Sequence, residues 1–316
     1  MAARGSVGNL SLDSTIEDIR EGVVRKEAAV VDAQQFIREA ISDPSNLEAI
    51  CFTETLAVYA ASDAGLDQPQ DQPVGGPRGL FKVTVEQQQK LPWLTGAPGV
   101  LRVQTECKGK LEGKQCSSTI DALLECRDGL RTITQTHAEF MKASEAHGML
   151  RKQIDVRQGE SFSARETSTV HSEDSEVCGR RLRVLIRDYS PELVDEREHE
   201  VSSTFEPHFI GSAANFCVLR LIATCWEFVD VPRKLEFVTL DGSGNLCSAL
   251  WTVDEPTTRS YNGKSFEVVP VRREVTDAGS SKEVWNVDVA KTDGKLIKWQ
   301  HDGSAMIMFA VETVSH

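Results

Sequence analysis

The chain has 316 residues, 40% apolar and 26% charged, and carries a formal net charge of −13. That length predicts two or three domains, and the composition excludes wholesale disorder. The acidic balance argues against direct nucleic-acid or anionic-lipid binding, which needs clustered Lys and Arg, and no apolar run is long enough to predict a membrane span.

Met1–Leu12 has neither the apolar core of a signal peptide nor the Arg-rich pattern of a transit peptide. This predicts a chain that is not secreted, placed in the cytoplasm or within an intracellularly assembled particle. The eight cysteines show no C-x-x-C spacing and several lie in apolar runs, which predicts reduced, buried thiols.

The first predicted element is a helix opening on the capping signature Ser14-x-x-Glu17. Ile16, Val23, Val30 and Ile37 then recur every seven residues, with Ile19, Ala33 and Ala40 on the neighbouring row. Ser42-Asp43-Pro44 is a stop, and a second helix is predicted from about Asn46 to Ala61, presenting Leu47, Ile50, Leu56 and Tyr59. The short connection favours an antiparallel helical hairpin, giving a helical arm over 1–66. Such a stripe must be covered, by its own chain or by another. Ile16, Ile19, Val23, Val30 and Ile37 are therefore the candidate partner-binding residues.

Residues 67–79 hold three prolines and three glycines without periodicity and read as a linker. A mixed segment follows over 80–157. Leu80–Val85 and Val100–Glu106 read as short strands, and Thr119–Ile154 as a helical region broken near Asp128-Gly129. Residues 158–179 are polar and without apolar period, which predicts an exposed loop.

The rest, 180–316, is punctuated as strands. Leu182, Val184 and Ile186 alternate with arginines, as in a half-buried strand. Leu235–Leu240 and Leu246–Val253 flank the five-residue loop Asp241–Asn245. Pairing Leu240 with Leu246 sets Leu235, Phe237 and Thr239 opposite Trp251, Ala249 and Cys247. Around Thr292-Asp293-Gly294, a left-handed Gly294 with a bulge sets Val287 against Trp299 and Val289 against Ile297. Ala305–Val314 reads as a buried closing strand. Phe216–Val231 reads as helix at its start, capped by Ser212, and as strand at its end. The fold class so predicted is α+β: an N-terminal helical hairpin, a mixed central segment and a C-terminal antiparallel β-sandwich or barrel.

No motif carries chemistry. His199, Glu200, Glu206 and His208 lack the spacing of a metal centre, and His137 and His147 read as ordinary histidines. There is no G-x-S-x-G, and Val74–Gly79 lacks the Lys-Ser/Thr pair of a phosphate loop. Cys217, Cys225 and Cys247 sit among apolar residues that would keep them inert. Arg180, Arg181 and Arg183, and Arg272 with Arg273, read as solvated strand faces. Trp226, Trp251, Trp285 and Trp299 read as core rather than cavity lining. No catalytic residue, cofactor or metal is assigned, and enzymatic activity is not expected. The expected function is a non-catalytic structural subunit that self-assembles, its helical arm contacting neighbours. This layout resembles viral shell proteins in architecture only. The alternatives are a small-molecule-binding protein or enzyme with a cavity in the β-rich domain, and a regulatory adaptor.

Overall fold

A computed structural model describes residues 36–60, 76–88, 99–111, 114–126, 129–142, 148–159, 181–189, 194–201, 209–226, 233–261, 263–276, 282–302 and 306–310. Its body is a single antiparallel sheet of 15 strands. Eight come first: β1 (Phe52–Ala60), β2 (Gly79–Gln88), β3 (Val100–Leu111), β4 (Lys114–Glu125), β5 (Arg131–Lys142), β6 (Gly148–Gly159), β7 (Arg181–Tyr189) and β8 (Val194–Val201). A helix, Ala214–Thr224, separates them from seven more: β9 (Lys234–Leu240), β10 (Leu246–Val253), β11 (Thr257–Tyr261), β12 (Lys264–Thr276), β13 (Lys282–Ala290), β14 (Leu296–His301) and β15 (Met306–Ala310).

The order is β8-β7-β6-β5-β4-β3-β2-β1-β15-β14-β13-β12-β10-β9, with β11 paired to β12. Both halves are meanders of neighbouring hairpins. They are stitched together where β1 pairs with β15, from Leu56 opposite Ala310 to Ala60 opposite Met306.

The path is open, but the sheet curls until its two ends meet. Ile154, Val156, Val184 and Ile186 of β6 and β7 share an apolar cluster with Phe209 and with Val238 of β9. Phe209 bridges to Val238 in parallel, which covers the outer edge of β9. At the other end, β8 exposes the charged run Asp195, Glu196, Arg197 and Glu198, a sequence that discourages further strand addition.

The helix Ala214–Thr224 lies inside this curl, and every residue from Ala214 to Ala223 is buried. Apart from Asn215, Arg220 and the terminal Thr224 it is apolar all round, which predicts such burial because little of its surface is suited to water. It packs against the inner residues of strands from both halves, among them Leu56, Val83, Leu101, Trp251 and Val287.

Several expectations are corrected here. There is no N-terminal helical hairpin among the described residues. Residues 36–42 are helical, Asp43 caps the short helix Pro44–Ala49 by accepting from Ser45 N–H, and the chain then turns into β1. Phe52, Thr53, Thr55, Val58 and Tyr59 are aromatic or β-branched, and the inner residues Glu54 and Leu56 face the buried helix rather than a helical partner. The central region expected to be helical is three strands, β4, β5 and β6. The C-terminal part is not a separate sandwich or barrel, because its strands continue the same sheet through β1 and β15.

Other expectations are met. β9 and β10 pair with Leu240 opposite Leu246, Phe237 opposite Ala249 and Leu235 opposite Trp251. Gly294 is left-handed at φ +69° and Val287 faces Trp299. The bulge falls at Asp288/Val289, so Val289 meets Leu296 instead of Ile297. Ile297 then turns to the outer face, where it packs with Tyr59, Tyr261 and Phe309.

Candidate functional site

Of the candidate partner-binding residues, Ile16, Ile19, Val23 and Val30 lie outside the described residues. Ile37 is fully buried in the main core beside Phe36 and Ala40.

The outer face of β2–β5 offers a different surface. Alternation sends Phe81, Val83 and Val85 inward and leaves Leu80 and Lys82 outside. Leu80, 52% exposed, is the one large exposed hydrophobic side chain among the described residues. It stands in a cross-strand row with Ala57, Lys108, Ser117 and Phe140. Around this row lies a trough of about 720 Å³, lined also by Arg78, Lys82 and Glu106.

The trough's end is shaped by two facing glycines, Gly79 and Gly109. A Cβ on Gly79 would stand 2.2 Å from the Lys108 carbonyl oxygen, so only glycine permits the ladder there. Three of the four charged side chains are cationic, on a protein of net charge −13. Lys108 is held by Glu106 at 2.6 Å, an exposed pair of small energetic weight.

Inside the curl, the buried helix is positioned by polar side chains at both ends. No side chain of its own caps it. Instead Gly211 N–H donates to Thr132 Oγ1 at 3.0 Å, and Ala213 N–H donates to Gln135 Oε1 at 3.1 Å. These β5 residues, and not Ser212, anchor the turn that leads into the helix. Further along, Arg220 is buried and saturated. Its Nε donates to the Ala49 carbonyl at 2.6 Å, it pairs with Glu54, and its guanidinium lies 4.3 Å from the Phe52 ring centre. Glu54 also accepts the Leu296 N–H at 3.0 Å, tying β1 to β14. Burial pushes the Glu54 carboxyl above the ordinary glutamate range, against the pull of Leu296 and Arg220.

A second buried acid, Asp288, accepts both contacts from Arg259 Nη1, at 2.7 and 2.8 Å, and the Tyr261 hydroxyl. Burial next to that carboxylate raises the Tyr261 hydroxyl far above its usual range. On β6, Asp155 accepts from Thr136 at 2.7 Å and Arg187 at 3.2 Å. Each network locks strands to one another.

The remaining sequence readings divide. Cys126, Cys217, Cys225 and Cys247 are buried and outside any disulfide; burial pushes Cys217 and Cys225 up, as their apolar surroundings predicted, and Cys126 up to about 12. Among the described residues no group of His, Cys, Asp and Glu is arranged to hold a metal. Trp251 is fully buried, whereas Trp285 and Trp299 line an inner cavity with His137. Arg272 is solvated as read, but its neighbour Arg273 points inward and is only 8% exposed. The signal was present: in Val271-Arg272-Arg273-Glu274-Val275, a period of two puts Arg273 on the face of the two valines.

Residues 32–305 match the protein family described as "Ciliogenesis-associated TTC17-interacting protein, N-terminal domain", and the chain belongs to that family. Comparison with curated proteins and with solved structures finds no match. The family corrects the expectation of a viral, capsid-like protein. Among the described residues no helix is long and apolar enough to cross a membrane.

Proposed function

We propose that the chain is a protein-interaction domain whose partner is TTC17, docked across the outer trough around Leu80. The observation that carries this reading is the family match over 32–305, whose description names TTC17 as an interactor. The trough supports it on physical grounds. An exposed leucine at one side of the trough, with Phe140 three strands away at the other and Arg78, Lys82 and Lys108 along it, suits an apolar anchor followed by acidic residues. The setting follows from the same description: a partner in ciliogenesis is met inside the cell, where the chain's cysteines stay reduced.

Calorimetry of the purified chain with TTC17 tests this. Saturable binding is expected, and the pair of changes Leu80→Glu and Lys108→Glu should weaken it by about tenfold or more, the scale of one hot-spot residue. An absence of binding overturns the reading. Undiminished binding by the double variant would move the docking surface elsewhere on the domain. Light scattering on the same samples addresses self-assembly, and a stable oligomer of the chain alone would restore that function as the competitor.

A further inference from the structure

Five buried side-chain N or O atoms among the described residues have no hydrogen-bond partner, and three of them fall in one cross-strand row. They are Nε1 of Trp251, Nε of Arg273 and Nε1 of Trp285. Trp251 faces Arg273 across β10 and β12, and Arg273 faces Trp285 across β12 and β13. All three atoms are donors, and beyond Trp285 the row continues to His301, whose ring centre lies 4.4 Å from that of Trp285.

Arg273 is the charged member. It is 8% exposed, and its buried Nε has no hydrogen-bond partner. Burial pushes its guanidinium down to about 10, and only the weaker influences of Cys247 and of exposed Glu283 pull the other way. Buried charges are ordinarily paired, and buried donors ordinarily find acceptors. Arg220, on the buried helix, is paired with Glu54 and donates to the Ala49 carbonyl.

The row borders a cavity. Arg273, Trp285 and Trp299 line one side of a space of about 240 Å³, with Ile120, His137 and Ile154 on the facing wall. Its floor is Ser212, Asn215 and Phe216, at the start of the buried helix, where the helix dipole adds positive potential. Leu240, Asp241 and Gly242 stand at the mouth. Burial lowers the His137 imidazole below its usual range, so the ring is neutral near pH 7 and Arg273 is the cavity's one cation.

We infer that this cavity binds a small amphipathic carboxylate, its headgroup taken by Arg273 and the Trp285 indole N–H and its apolar body by the aromatic walls. The carboxylate follows from the donors, since a guanidinium fork matches two carboxylate oxygens. A single negative charge follows from there being one cation, with Asp241 and Glu283 nearby to repel a second. The size follows from the volume. At about 30 Å³ per water-sized unit, 240 Å³ accommodates a body of roughly eight heavy atoms. This site lies on the inner face, opposite the outer trough assigned to TTC17, so either assignment can fail without the other.

Octanoate is the probe. Titrated onto the full chain, it should change the tryptophan emission saturably and raise the midpoint of thermal unfolding. Octan-1-ol has the same body without the charge and should bind about tenfold more weakly or worse, as should octanoate to the Arg273→Met variant. If that variant does not fold, Trp285→Phe keeps an aromatic ring, removes one donor and should still weaken octanoate. Equal binding of octanoate and octan-1-ol, octanoate binding unchanged in these variants, or no saturable response in the native chain each overturns the inference. TTC17 binding by Arg273→Met should match the native chain.

Discussion

Two buried arginines on the inner face of the curl stand in opposite conditions. Arg220, in the second half of the buried helix, has a carboxylate, a carbonyl and an aromatic face around its guanidinium. Arg273, beside the helix start, lies between Trp251 and Trp285 with its buried Nε unpaired, and its nearby carboxylate, Glu283, is exposed. Both lie behind the same sheet, so depth does not separate them. What separates them is whether neighbouring segments were shaped to receive the charge. Around Arg220 they were: the short helix Pro44–Ala49 ends with its Ala49 carbonyl on Nε, and Gly294 leaves room for the side chain's stem, since a Cβ there would stand 2.4 Å from Arg220 Cγ. A paired buried charge fixes a fold, whereas an unpaired one in a cavity is a binding site that the fold supports.

The same substitution at both places breaks the comparison most sharply. Arg220→Met removes one partner of a buried pair and leaves Glu54 uncompensated. A loss of about 3–5 kcal/mol in urea unfolding is expected. Arg273→Met removes a buried charge that has no partner to orphan and replaces it with a side chain of similar reach. It should leave the empty protein unchanged or stabilise it by about 1 kcal/mol. A loss at Arg273 as large as that at Arg220 would make Arg273 a structural residue.

The helix start can be probed apart from either arginine. Gly211 approaches β5 so closely that a Cβ would lie 2.6 Å from Gln135 Oε1 and 2.7 Å from Thr132 Oγ1. Those are the two acceptors that anchor the turn leading into the helix. Gly211→Ala should therefore cost about 2 kcal/mol, by crowding and by loss of these hydrogen bonds, in the same urea measurement. Because Ser212, Asn215 and Phe216 form the cavity floor, it should also weaken octanoate binding.

The sequence was most legible where turn and pattern agree. Asp241–Asn245 closes a hairpin whose apolar face alternates without fault, so its register could be read outright. Gly294 announced its left-handed turn in the same way, although the bulge at Asp288/Val289 lay one pair beyond where the pattern placed it. The central strands were read as helix for identifiable reasons. Bulges at Leu123/Leu124 and Glu139/Phe140 shift the phase, which leaves apolar residues at spacings that imitate a helical period. Their inner face also carries Thr132, Gln135 and His137, polar residues that a search for buried strands discounts. The Leu80 trough left little trace, because two of the neighbouring strands that wall it, β4 and β5 with Ser117 and Phe140, lie where the sequence reads mostly as helix. Arg273 left a trace in its alternation, but nothing local to the sequence shows that no acceptor would reach it.

The smallest expected effect tests how the paired region holds its charge. The carboxyl of Glu54 is raised above the ordinary value of 4.5, chiefly by burial. The folded chain then holds that proton more tightly than the unfolded chain, so this group's contribution favours folding in acid. It is fully present below about pH 4.5 and is lost as pH climbs through the elevated native value. Glu54→Gln has no such titration, yet still offers Arg220 and the Leu296 N–H an acceptor. The stability advantage of the native chain over Glu54→Gln should therefore be larger at pH 5 than at pH 7.5, measured by urea unfolding of both proteins at each pH. An advantage that grows toward pH 7.5 would mean that Arg220 outweighs burial at Glu54 and that the pair is stronger than its surroundings imply. The contrast with Arg273 would then widen, because one inner-face cation would be held by a carboxylate that stays charged throughout while the other meets its carboxylate only in a ligand.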